Sequence, residues 1–189
     1  KIVDGKYETK TLPKDETVVY TYGLDITKYE LGDPSMTLAG AEFSLKTAAG
    51  KTVYFKAKDA ENNIYTAIFA DVKPDEAAQT VRTSTGGKLI IEGHGAGTYT
   101  LTEEAAPTDY HIIDKNITVN ITPELNSAGE PTGTLTQDAG VAAGAKGAGY
   151  LVKNIANSPD YTLPFTGSVG TMIFLLAATI TAAIAVVLI

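Results

Sequence analysis

Between Leu24 and Asn157, apolar residues return at every second position in short runs broken by glycine and polar residues. That spacing admits little besides a β fold. Side chains alternate across an extended chain, so a period of two buries one face of a strand, whereas a helix needs apolar residues three and four apart. "AEFSLKT" sets Ala41, Phe43 and Leu45 on one face, and "AAGK" turns the chain into "TVYFKAK". "GGKLIIEG" and "GTYTLTEE" read as strands joined through "GHGAG", and "NITVNIT" points Ile117, Val119 and Ile121 inward. "YLVKNI" is the last strand, followed by a polar linker. "NNIYTAIF" reads as strand or helical turn, "DVKPDEAAQT" as loop or short helix, and "QDAGVAAGAKGAG" as a mobile loop. Short strands with frequent turn signals point to an antiparallel sandwich over 23–157. Residues 1–22 read as the end of a preceding domain or a linker.

Composition narrows the function. The 189 residues carry a net charge of −7 with both signs interspersed, which argues against nucleic-acid binding. There is no cysteine, and the two histidines lie apart in sequence, so neither a disulfide framework nor a zinc site is expected. No cofactor is implied. The first residue is Lys1, with no apolar leader, so the chain reads as the C-terminal piece of something longer. From Tyr161 onward no residue is charged, and "VGTMIFLLAATITAAIAVVLI" over 169–189 is nearly unbroken apolar. As a helix rising about 1.5 Å per residue, it matches the roughly 30 Å hydrocarbon core of a bilayer, so one C-terminal transmembrane helix is expected.

Three polar groups break the alternation on inward faces. In "GLDITKYE", Lys28 follows Leu24 and Ile26 on the apolar face. In "YTLTEE", Glu103 shares a face with Tyr99 and Leu101. In "YLVKN", Asn154 shares a face with Tyr150 and Val152, although Leu151 and Ile155 make the other face apolar too. An unpaired buried charge costs several kcal/mol on the order-of-magnitude scale of ion burial. A lysine desolvated by burial is more readily neutral and nucleophilic, and a buried carboxyl can shuttle protons. Attack of the Lys28 amine on the Asn154 carboxamide carbon, with proton transfers through Glu103, would expel ammonia and remove the charge. A buried Lys28–Glu103 ion pair and a snorkelling lysine are the bland alternatives.

Read as whole segments, "GLDITKYE…LAGAEFSLK", "GKLIIEGHGAGTYTLTEEAAPTDY" and "YLVKNIANSPDYTLPFTG" resemble the CnaB-type domain of Gram-positive shaft pilins and related wall-anchored adhesins. The resemblance implies an all-β, inverse immunoglobulin-like, prealbumin-like sandwich with a self-formed isopeptide bond between a first-strand lysine and a last-strand asparagine. Tyr99, Leu101, Glu103, Ala106, Pro107 and Tyr110 fit the family pattern Y-x-L-x-E-x-x-A-P-x-x-Y, which assigns the acid/base role to Glu103 and not Glu104. Lys28 fits the lysine and Asn154 the V-x-N of the last strand, so Asn154 is the expected acceptor, with Asn157, three residues on, as the alternative. His94 stands where the family usually has leucine, a change expected to alter loop packing.

"LPFTG" in the linker 158–168, formed by Leu163, Pro164, Phe165, Thr166 and Gly167, resembles the LPxTG sorting signal. The resemblance implies cleavage between Thr166 and Gly167 by a sortase. The acyl group then passes to a neighbouring pilin subunit or a peptidoglycan precursor, which leaves the membrane span behind. The family's basic tail after the span is missing from "AVVLI", consistent with trimming. The expected protein is a cell-surface, wall-anchored structural subunit, not an enzyme, with a host surface ligand as a further partner the family allows. A singly anchored adhesin and the stalk of an upstream surface enzyme are the rival readings.

Overall fold

The computed structural model describes residues 18–160, together with two short paired strands before them, β1 (Ile2–Val3) and β2 (Lys6–Tyr7). Twelve more strands follow: β3 (Tyr22–Glu30), β4 (Asp33–Thr37), β5 (Glu42–Thr47), β6 (Thr52–Asp59), β7 (Ile64–Ile68), β8 (Val81–Arg82), β9 (Lys88–His94), β10 (Gly97–Ala105), β11 (Ile117–Ile121), β12 (Pro123–Leu125), β13 (Pro131–Leu135) and β14 (Tyr150–Asn157). No helix occurs among the described residues. The ambiguous "NNIYTAIF" contains β7, and "DVKPDEAAQT" is loop, pinned by an isolated bridge from Ala78 to Phe55.

The hydrogen-bonded path runs β11-β10-β5-β6-β7-β9-β3-β14, with β4 on β3 and β8 on β5. It folds into two layers at β6, whose start pairs with β5 (Leu45↔Val53) and whose remainder pairs with β7 (Tyr54↔Ile68). Both layers contribute to one apolar core, with Leu24, Ile26, Leu89, Ile91, Leu151 and Ile155 from one and Phe43, Leu45, Leu101, Val119 and Ile121 from the other. Most ladders are antiparallel, as the turn-rich sequence leads one to expect. Two are parallel: β7 with β9, and the first and last strands of the sandwich, β3 with β14.

β14 lies at the end of the sheet path yet is covered on its outer side. The Gln137 side chain accepts from Val152 N (3.0 Å) and donates to Tyr150 O (2.7 Å), occupying edge groups that a further strand would take. The glycine- and alanine-rich segment expected as a mobile loop is folded into turns, with Val141 N bonded to Asp138 O and Gly147 N to Gly144 O. Gly144 sits so close that a Cβ there would fall 2.8 Å from Asp25 Oδ2 and 3.0 Å from Val152 Cγ2. Glycine is what lets this segment lie on the sheet.

At the far end of β3 from Lys28, Tyr22 pairs with His94 in register. His94 is fully buried, edge-on to Tyr99 at 5.2 Å and to Phe69 at 6.3 Å. Its ring nitrogens make no hydrogen bond of good geometry, and burial holds its pKa down at about 4, offset only slightly by the Tyr22 main chain. The residue is a neutral aromatic filler packed against Tyr99 and Phe69.

Candidate cross-linking site

Lys28 has no exposed surface and is among the large fully buried side chains of the described residues. β3 delivers it to the space between the layers on the face of Leu24 and Ile26. Glu103 arrives from the opposite layer on β10, in register with Phe43 of β5, and is 3 % exposed. The close approach of the preceding turn depends on Gly87, whose φ is +68° and whose carbonyl accepts from Lys28 N at 2.8 Å. A Cβ on Gly87 would lie 2.6 Å from Lys28 O.

The asparagine in the site is Asn157, not Asn154. Asn157 is 1 % exposed; its Oδ1 accepts from Lys28 Nζ, and its Nδ2 donates to Glu103 Oε1 at 3.1 Å and Oε2 at 3.0 Å. Lys28 Nζ also donates to Ile155 O at 3.1 Å and lies 3.8 Å from Glu103 Oε1. Asn154 is exposed, opposite Thr27 in the ladder. The correction follows from the period of two: Leu151, Ile155 and Asn157 share the inward face, so Asn154 faces out. Two features hid this phase. Val152 is also buried, and β14 runs two residues past Ile155, to Asn157. The parity of Leu151, Ile155 and Asn157 was the sequence signal that could have found it.

The chemistry suits amide formation. Burial lowers the Lys28 pKa to about 8, with the Glu103 charge and hydrogen bonding opposing part of that shift. The carboxamide is clasped on one side by the amine and on the other by a carboxylate that both its oxygens bring to bear. Glu103 is held in turn by Ile113 N, which donates to Oε2 at 2.8 Å. Ile113 lies in irregular chain, where no alternation in the sequence marks this main-chain contact. Among the described residues no three His, Asp or Glu side chains converge as a metal would require. The motif Leu163–Gly167, the span 169–189 and their sortase and membrane roles lie outside the described residues.

A two-layer sandwich closed by parallel first and last strands, with a lysine, an acid and an asparagine buried between the layers, defines a prealbumin-like domain. Residues 23–132 match the model of the SpaA prealbumin-like fold domain, and the chain belongs to that family. Among solved structures, the pilus 2b backbone protein of group B streptococcus superposes with a TM-score of 0.53 at 22% identity, over 82% of this chain and 48% of that one. The minor pilin GBS52 of Streptococcus agalactiae gives 0.50 at 21%, over 77% and 47%. A double mutant of the shaft pilin SpaA from Lactobacillus rhamnosus GG gives 0.51 at 17%, over 76% and 49%. At these identities the likeness is one of fold, and the chain spans about half the length of each structure. No curated protein sequence matches the chain.

Proposed function

We propose that this chain is the terminal stalk of a structural pilus subunit, locked internally by an amide between Lys28 and Asn157 and joined by a sortase, through Thr166, to the next subunit or the cell wall. On this reading 23–157 is the load-bearing domain, 158–168 presents the sorting motif, and 169–189 holds the precursor in the membrane until cleavage. The family membership and the fold shared with pilins support the subunit role. The observation that carries the lock is the buried contact of the Lys28 amine and the Glu103 carboxylate with one carboxamide, Asn157.

The bond change balances without an outside reagent. The Lys28 ammonium loses a proton to solvent, and the neutral amine adds to the Asn157 carboxamide carbon. Glu103 takes a second proton from that nitrogen and passes it to Nδ2 as the old C–N bond breaks. Ammonia departs and regains a proton from solvent as ammonium, so one amide replaces another and Glu103 is regenerated.

Intact-mass measurement tests this directly. The folded chain should weigh less than its sequence by one ammonia, Asn157→Ala and Glu103→Ala should restore the full mass, and Asn154→Ala should not. Full mass in the wild type would falsify the lock. High-mass ladders in detergent-boiled wall extracts, lost with Thr166→Ala, would support sortase polymerisation over a singly anchored adhesin, which gives one band.

A further inference from the structure

Glu103 is not the only acid beside the reacting pair. Residues paired in register share a face, so Glu30, the partner of Asn157 in the β3–β14 ladder, lies on the inward side with it. Glu30 also stands two residues beyond Lys28 on the same strand, hence on the same face. A carboxylate free to swing toward the Lys28 ammonium would stabilise the charged, unreactive form. The fold holds Glu30 elsewhere. The Tyr110 hydroxyl donates to Glu30 Oε2 at 2.7 Å in a part-buried bond. The main chain fixes Tyr110 in turn: it bridges to Pro159, flanked by His111 N bonded to Ser158 O at 2.9 Å and Asp160 N to Asp109 O at 2.7 Å. Two residues past His111, the Ile113 amide holds Glu103. One strap, 107–113, thus grips both acids and the chain just beyond Asn157.

We propose that Tyr110 is a positioning residue for the amide-forming reaction: by holding Glu30 aside, it leaves Glu103 as the one carboxylate acting on the Lys28 amine. This rests on the cross-linking reading above. Other charged groups on the neighbouring elements are engaged away from the site. From β9, Lys88 reaches Thr27 and Asp25 on the other face of β3. Asp33 of β4 accepts from Ser35, Glu42 of β5 pairs with Arg82, and Glu104 of β10 accepts from Ser44. His111 and Asp160 face each other at 3.3 Å, each more than half exposed.

The test follows ammonia loss by intact mass over time, on full chain translated in vitro, collected in denaturant and refolded into detergent across a series of near-neutral pH values. Tyr110→Phe should slow the loss about tenfold at neutral pH and raise the midpoint of the pH–rate curve by about one unit. Adding Glu30→Gln to Tyr110→Phe should return both to within about twofold of wild type. Glu30→Gln alone should keep the wild-type midpoint, and a shift there overturns the proposal even if Tyr110→Phe does not refold. Equal slowing at every pH, or no rescue by Glu30→Gln, also overturns it. A wild-type chain that sheds no ammonia sinks the cross-linking reading itself. A wild type that reacts, with Tyr110→Phe matching it at every pH, removes only the role of Tyr110.

Discussion

Lys28 gives up its proton more easily than a surface lysine because burial disfavours the ammonium, an effect the Glu103 carboxylate only partly cancels. Only the neutral amine attacks, so the cross-linking rate should rise about tenfold per pH unit below the pKa of about 8 and level off above it. A time course of ammonia loss at several pH values reads this; a rate flat through neutral pH would show that amine deprotonation does not limit the reaction. His94 makes the opposite kind of statement, about stability. Its folded pKa of about 4 lies below the ordinary 6.5, so the unfolded chain binds more protons between those values. Stability is therefore whole above the ordinary value and drains away as pH falls toward the folded one. Between pH of about 7 and about 5 the loss should be about 2 kcal/mol. Urea denaturation of a Glu103→Ala chain, which cannot lock, measures that slope, and His94→Leu should flatten it.

At the scale of the strand, β14 decides how the site is assembled and how much of it the sequence discloses. Gln137 stands in for a neighbouring strand, so Gln137→Ala should strand Tyr150 O and Val152 N and cost about 1–3 kcal/mol. Denaturant titration in the same unlocked background checks this, and an unchanged midpoint would mean that water replaces the clamp. Strands with one buried face were legible from alternation alone. Lys28 and Glu103 could be placed because each extends a clean inward row, Leu24–Ile26 on β3 and Tyr99–Leu101 on β10. β14 offers no such contrast, since Leu151 faces the core while Val152 lies under the 138–149 turns. Its phase therefore depends on a loop packing from outside, which a local pattern does not carry. The parallel pairing of β3 with β14 was equally hidden, because alternation says which face a strand buries and not which strand lies beside it. The strap contacts of Ile113 and Tyr110 come from irregular chain with no period to read.

For the whole molecule, the position of the lock sets the path of tension. β3 and β14 run parallel, so the chain enters at the Tyr22 end of one and leaves at the Asn157 end of the other, and pulling shears the two strands along their shared ladder. The proposed amide joins them near the exit. Load arriving from the sorting side crosses from Asn157 to Lys28 and passes back along β3, and the residues between the two are bypassed. Lys28 and Asn157 are 129 positions apart. Closing a loop of that size lowers unfolded-chain entropy by about 5 kcal/mol on the scale used for disulfides. The larger consequence is geometric. An unlocked domain that yields should release about 430–460 Å of chain between Lys28 and Asn157, from the roughly 3.3–3.6 Å that each extended residue spans, whereas a locked one should release none of it at forces that leave covalent bonds intact. Single-molecule pulling through handles placed before Tyr22 and after Asp160 separates the cases. Wild type should show no unfolding step of that length, Glu103→Ala should show one per domain, and Asn154→Ala should behave as wild type. A full-length step in the wild type would mean that tension does not run through a Lys28–Asn157 link, whatever the two side chains do at rest.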